Sequence, residues 1–340
     1  MRKIPNILKN SINQSGSLSF YSPGARLFLG MAIGDAFGAR FENQKRKSID
    51  LTTDIGTYRD WNRYTDDTQM AIGVAELLIS EDPFTAENLA EALLIAYRRD
   101  PRSGYSQLTR TMLDTSDDGE AFLRSIPDEE RRRRKSDGAA MRALPIGFLP
   151  DTQDVIRYAL LSAAITHGHP DALAATAGVA LIAHERYYSR KAFPKIIQDI
   201  LPIIPDLTPH ARDYLSGVIR TGWNPEVILG EHADYGVPYT ESVILLGAVI
   251  AILAEFGEDP AQALQESVKL GGDTDTTACI VLGAAQIHPG TEIPESLLSG
   301  LEDGEYGKKF LLFLGDRLSA RYPEKKNQPI DGSGIHIQVK

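Results

Sequence analysis

Apolar residues recur every three or four positions along most of the chain, in runs separated by short Gly- and Pro-containing breaks. That period gathers each run's apolar side chains on one face and predicts helices. They are expected over 24–40, from Asp67 to about Ser80, from Thr85 to about Arg99, and over 106–125 with an interruption near Ser116–Gly119. Two more flank the break Gly168-His169-Pro170 between Asp151 and His184, and others span 206–221, 240–256, the run ending near Ile287, 294–301 and 305–320. Asp82-Pro83, Asp100-Pro101 and His288-Pro289-Gly290 are the kind of dipeptides and tripeptides that stop a helix. Strand-like alternation occurs at Ile335–Val339 and hardly elsewhere. The pattern predicts an all-α fold, a compact single-domain multi-helix orthogonal bundle. No fixed-period repeat and no linker divides it. Residues 1–22 are polar and read as a flexible N-terminal arm, 23–322 as the helical domain, and 323–340 as a flexible tail.

Within the first helix Gly30, Gly34 and Gly38 form a bare stripe, four residues apart. Each interior Gly costs about 1 kcal/mol against Ala, so the stripe calls for close approach by another helix or by a ligand. Asp35 and Glu42 share a face if the helix persists that far. Asp35 is assigned to a polar face or a cap, and Glu42, at the helix end, to the site.

Two acidic stretches stand at helix starts. Tyr64-Thr65-Asp66-Asp67-Thr68 leads into one apolar run and Gly271-Gly272-Asp273-Thr274-Asp275-Thr276-Thr277 into another. Asp and Thr cap helices through their side-chain oxygens, so ordinary caps would explain one such residue at each start. Here there are four carboxylates and several hydroxyls, while a helix start favours only about half a unit of negative charge. The surplus suits cations. Four Asp carboxylates match two divalent ions, and an oxygen set without Cys or His points to Mg, Mn or Ca rather than Zn.

Composition narrows the class. The chain of 340 residues is 42% hydrophobic and 24% charged, with a net charge of -10, which argues against a generic nucleic-acid binder. The lone Cys279 excludes an internal disulfide framework and a Cys-based metal cluster. No signal peptide and no uninterrupted apolar span is visible, so a cytoplasmic location without membrane contact is expected. The run Arg131-Arg132-Arg133-Arg134-Lys135 reads first as a solvated segment balanced by Asp128-Glu129-Glu130, and second as an attraction for an anionic ligand. It leads into Ser136-Asp137-Gly138, read as a loop opening a helix whose N–H groups could cradle phosphate. His167 is either a structural hydrogen-bonder or a substrate contact. The aromatics of the Glu231–Tyr239 loop could stack on an adenine or simply pack.

Four blocks, Gly34-Asp35-Ala36-Phe37-Gly38 with Glu42, Thr65-Asp66-Asp67-Thr68, Ser136–Arg142 and Gly271–Thr277, with the weaker Thr166-His167, resemble the ADP-ribosylglycohydrolases in content and order. The bacterial enzymes that remove ADP-ribose from arginine are among that family. The resemblance implies a helical domain around a binuclear centre of two divalent cations, Mg2+ or Mn2+. On it, Thr65, Asp66, Asp67, Asp273, Asp275 and Thr276 match the metal-holding positions. Asp67 and Glu42 are the candidates for the catalytic base, Ser136, Asp137 and Gly138 match the loop over the pyrophosphate and distal ribose, and His167 contacts substrate. The family commonly has Gly-Asn-Gly where this chain has Ser136-Asp137-Gly138, which bears on linkage specificity. The implied partner is an ADP-ribosylated protein, with arginine the first acceptor. An immunity role is a further expectation, in which the arm engages an ADP-ribosylating toxin. A metal-dependent phosphohydrolase of ADP-ribose or nucleotides and a catalytically silent binding protein are the alternatives.

Overall fold

The computed structural model describes residues 21–51, 56–58 and 61–324. Nearly all of the expected arm, the tail beyond 324 and the alternating stretch at 335–339 lie outside the described residues. Among those described, sixteen α-helices and no strands are found. In chain order they are α1 (Pro23–Gly38), α2 (Asp66–Ile79), α3 (Ala86–Arg99), α4 (Gln107–Thr115), α5 (Gly119–Arg124), α6 (Asp128–Arg133), α7 (Thr152–Ala164) and α8 (Pro170–Ser189). The second half adds α9 (Phe193–Ile200), α10 (Pro209–Thr221), α11 (Pro225–Leu229), α12 (Ser242–Phe256), α13 (Pro260–Lys269), α14 (Thr274–Ile287), α15 (Glu295–Gly300) and α16 (Lys308–Arg321). None of the described helices is long and apolar enough to cross a membrane.

The pair α1 and α14 forms the centre, and every residue of α14 is buried. The glycine stripe faces this partner. A Cβ on Gly30 would lie 2.6 Å from the Leu282 carbonyl oxygen, and one on Gly34 or Gly38 would overlap the carbonyl of Ala278 or Thr274. As α1 advances from 30 to 38, α14 recedes from 282 to 274, so the two helices run antiparallel with their backbones touching. Of the two causes expected for the stripe, close approach by a helix is the one realised. The C-terminal end of α1 therefore meets the N-terminal end of α14, where the Thr274 hydroxyl donates to the Gly38 carbonyl at 2.8 Å. Around this pair, α16 packs on α1, with Gly24 against Gly315, while α12, α13 and α8 pack on α14.

Most helix starts follow the expected chemistry. The Ser22 hydroxyl accepts from Ala25 N, with Pro23 opening α1, and Thr85 caps α3 by accepting from Asn88 N at 3.2 Å. Three expectations need correction. First, residues 136–143 are turns leading to a short 3-10 helix, Leu144–Phe148, and do not open an α-helix. Pro145 supplies no N–H, and it disfavours the α conformation at Leu144. Second, α1 ends at Gly38, so Glu42 is carried by a turn and not by helical periodicity; Phe41 N donating to the Gly38 carbonyl closes that turn. Third, α6, α9, α11 and α13 were not expected as separate elements; all are short, and α9, α11 and α13 each open with a Pro in the first turn.

Candidate active site

Two helix starts converge beside the end of α1. Asp35, fully buried on α1, is the hub. Its Oδ1 accepts from Thr65 N at 2.8 Å and Thr65 Oγ1 at 2.7 Å, and its Oδ2 from Thr68 N at 3.1 Å and Thr68 Oγ1 at 2.7 Å. Asp35 is thus a cap, as assigned, but for α2 across the fold and not for its own helix. It fixes the start of α2, while the tight α1–α14 contact fixes the start of α14. Gly271 and Gly272 have φ of +72° and +73°, the left-handed region open to glycine. Gly272 N donates to the Gln44 carbonyl and Asp273 N to the Val237 carbonyl, which pins the turn before α14.

A pocket of about 380 Å³ opens between these starts. One wall is acidic: Glu42, Asp66, Asp67, Asp137, Asp273, Asp275 and Thr276 line it, and Glu42 stands at the more exposed rim. Thr65 lies just behind, with its hydroxyl 3.3 Å from Asp67 Oδ2. Burial pushes the carboxyls of Asp66, Asp67, Asp273 and Asp275 well above the usual range, and their mutual repulsion adds to it. Asp35 is raised to about 6 by burial despite its four donors, and Asp137 to about 8, chiefly by burial. Like charges this close in a low-dielectric site need protons or a cation. Asp67 Oδ1 and Asp137 Oδ2 are buried with no hydrogen-bond partner, which interiors rarely leave. The wall fits divalent cations that favour oxygen ligands. Among the described residues no three His, Cys, Asp or Glu side chains already close on one point.

A second stretch of the pocket wall carries Arg134, Ser136, Gly138, Arg142, Thr166 and His167. Arg142 is 1% exposed and donates to the Ser162 carbonyl at 2.6 Å, to Thr166 Oγ1 at 2.8 Å and to the Gly138 carbonyl at 2.9 Å. Thr166 Oγ1 is 2.8 Å from His167 Nδ1, and His167 Nε2 is 2.8 Å from Ser136 Oγ. Because Thr166 accepts from Arg142, its proton is free for Nδ1. The ring proton then sits at Nε2 and is donated to Ser136, whose own hydroxyl proton is left for a ligand. Burial, then the charges of Arg134 and Arg142, hold His167 well below its usual pKa and keep the ring neutral. Both ring nitrogens are engaged, so His167 acts on the pocket through Ser136. Tyr239 also lines the pocket and is 62% exposed, while Lys45 Nζ lies 4.8 Å from the Tyr235 ring centroid.

Sequence reading passed over Gly104, which appeared as part of an ordinary break. Its φ is +100°, and a Cβ there would collide with Asp66 Oδ1. Asp66 N donates to the Ser103 carbonyl at 3.0 Å, and buried Arg102 anchors the segment through ion pairs with Asp100 and Glu302. The only local signal was a Gly in a turn, which does not reveal what the turn will face. Gly104→Ala is expected to displace the Asp66 carboxylate and lower Mn2+ affinity by about tenfold to a hundredfold, as for lost metal-site supports. Calorimetric Mn2+ titration checks this; unchanged affinity would remove Gly104 from the site.

The sequence model of the ADP-ribosylglycohydrolase family matches residues 25–328. The chain is 27% identical over 302 residues to the ADP-ribosylhydrolase ARH3 of Xenopus tropicalis, covering 78% of this chain and 86% of that one. It is 25% identical over 321 residues to ADP-ribosylhydrolase ARH3 of Homo sapiens, covering 81% and 88%. A solved structure titled ADP-ribosylglycohydrolase-related protein complex superposes with a TM-score of 0.67 at 23% identity, covering 88% of this chain and 98% of that one, and shares its fold.

Proposed function

Since the chain belongs to the ADP-ribosylglycohydrolase family across residues 25–328, and is accordingly a glycosidic-bond hydrolase that removes ADP-ribose, we propose that its substrate is an ADP-ribosylated protein side chain, arginine first, and that hydrolysis depends on divalent cations. The observation that carries this reading is the meeting of the Asp66–Asp67 and Asp273–Asp275 helix starts in one pocket with buried, unpartnered carboxylate oxygen. Asp66, Asp67, Asp273 and Asp275 would hold the cations, with the hydroxyls of Thr65 and Thr276 beside them. Bound there, Mg2+ or Mn2+ would fix ribose hydroxyls and polarise water. Two such ions match the four carboxylates.

The chain's own groups do the rest. Breaking a bond to ribose passes through an oxocarbenium-like state, which nearby carboxylates stabilise. Of the two candidate bases, position favours Glu42. It stands at the rim, where a proton taken from water can leave to solvent, and burial raises its pKa above the ordinary carboxylate value while Asn43 Nδ2 donates to it at 3.1 Å. Asp67 lies deeper among the other carboxylates, where it suits holding a cation. The Ser136–Gly138 wall would orient the remainder of the substrate. The expected immunity role of the arm concerns residues of which only 21 and 22 are described, and it forms no part of this proposal.

The test is mass analysis of products from arginine-, serine- and nucleic-acid-linked ADP-ribose. Intact ADP-ribose is expected from the arginine linkage with Mg2+ or Mn2+ and not after chelation. Glu42→Gln should lose turnover while still binding Mn2+. Free phosphate as the first product would establish the phosphohydrolase reading instead, and binding without turnover of any of the three would establish the silent one.

A further inference from the structure

We propose that Arg134 is the anion anchor of this pocket and holds the diphosphate of the bound ADP-ribose, an inference that rests on the substrate reading above. The run Arg131–Lys135 is not one feature. Arg131 pairs with Asp128 at 3.2 Å and donates to the Leu123 carbonyl at 2.6 Å, Arg133 pairs with Glu129, and Lys135 pairs with Glu241 at 2.5 Å. Arg132 is exposed. Arg132, Arg133 and Lys135 behave as the solvated segment that the composition suggests, and Arg131 is tied down by Asp128 and the Leu123 and Ile126 carbonyls. Arg134 differs from them, because its side chain lines the pocket. Its Nη2 reaches Thr109 Oγ1 at a long 3.4 Å, and its Nη1 is buried with no hydrogen-bond partner. Among the described residues no carboxylate makes an ion pair with it.

Its surroundings make the missing anion more conspicuous. Arg142 stands on the same wall, and its donors reach carbonyl and hydroxyl oxygens, a thioether sulfur and no carboxylate. Burial and the nearby Arg134 lower Arg142 to about 9. His167, also on this wall, is neutral. Two guanidinium groups thus line the pocket without an ion pair, and Glu130 acts on Arg134 only as a nearby charge. An unpaired buried guanidinium is costly, and its planar fork of donors matches phosphate oxygens. An anion entering the pocket is repelled by the acidic wall and drawn to Arg134. A ligand with a ribose at one end and a diphosphate beside it satisfies both walls at once. The Ser136 hydroxyl, freed by the chain from Arg142 through Thr166 and His167, points to the same group of ligand oxygens as a neutral donor.

The experiment is calorimetric titration of the full chain, in Mg2+, with ADP-ribose, ADP, inorganic pyrophosphate and adenosine. Parent, Arg134→Gln and Arg134→Lys are compared. Arg134→Gln is expected to weaken ADP-ribose and ADP at least tenfold, with adenosine and Mn2+ affinities unchanged. Arg134→Lys, keeping the charge but not the fork, should recover part of the loss. The parent's ADP-ribose affinity should also fall more steeply with salt than that of Arg134→Gln. Equal ADP-ribose affinity in parent and Arg134→Gln overturns the anchor, and so does an equal loss for adenosine, which would mark a structural defect. If the parent binds pyrophosphate through Arg134 but not ADP-ribose, the anchor stands and the ADP-ribose substrate falls.

Discussion

Asp275→Asn is expected to cut turnover on the order of a thousandfold and to leave the fold intact. Cation stabilisation of developing charge contributes several kcal/mol in metal-assisted hydrolysis, and each 1.36 kcal/mol is tenfold in rate. Asp275 is central to the acidic wall: it is the largest charge neighbour of Asp67 and lies near Asp273 and Glu42. Its effect on stability should run the other way. Without cations, the four buried carboxylates repel one another, so removing one negative charge relieves strain. In chelator the variant should melt no lower than the parent, and only the parent should gain a large rise in Tm on adding Mn2+. The paired measurements, turnover and Tm with and without Mn2+, separate a lost ligand from a damaged fold. Retention of more than about a tenth of parental turnover would remove Asp275 from the ligand set.

Gly34→Val is expected to cost about 3 kcal/mol or more of stability, the upper range for overpacking a core. The added Cβ would overlap the Ala278 carbonyl, and backbone cannot swing aside as a side chain can. The helices must part, and Asp275 lies one turn from the contact, so activity should fall as well. Gly217→Ala is the control. That glycine lies in α10 with its nearest neighbour 4.0 Å away, so filling it should be neutral or stabilising by up to about 1 kcal/mol. Urea unfolding of both variants tests the pair. Equal midpoints for Gly34→Val and the parent would mean that the stripe does not serve close packing.

Much of this was legible before the fold was known. Helices with a strong period, such as α2, α3, α12 and α14, fall within one or two residues of expectation, because propensity and burial agree there, while α8 runs five residues past its expected end at His184. The two acidic clusters were visible because four carboxylates exceed what caps require. Their meeting was not visible: it depends on Gly30, Gly34 and Gly38 facing α14 rather than a ligand, and a bare stripe does not name its partner. Asp35 illustrates the same limit. Its role as a cap was anticipated, but the helix it caps belongs to another part of the chain. Arg134 was hidden inside a run of five like residues, since composition cannot say which one turns inward. Gly104 was hidden because its importance lies in Asp66, the neighbour that a methyl group there would strike.

The antiparallel contact of α1 with α14 also sets when the pocket can exist. Glu42 and the Asp66–Asp67 pair leave the ribosome well before Asp273 and Asp275. The acidic wall is therefore closed by a long-range contact, and an intermediate that stops short of α14 does not contain it. A cation that binds this wall binds the finished domain and not its precursors. By mass action such a ligand stabilises the whole fold, by about 2.7 kcal/mol at a hundred times its dissociation constant. Ion occupancy would then act as a latch on completed folding, set by the cell's free divalent concentration.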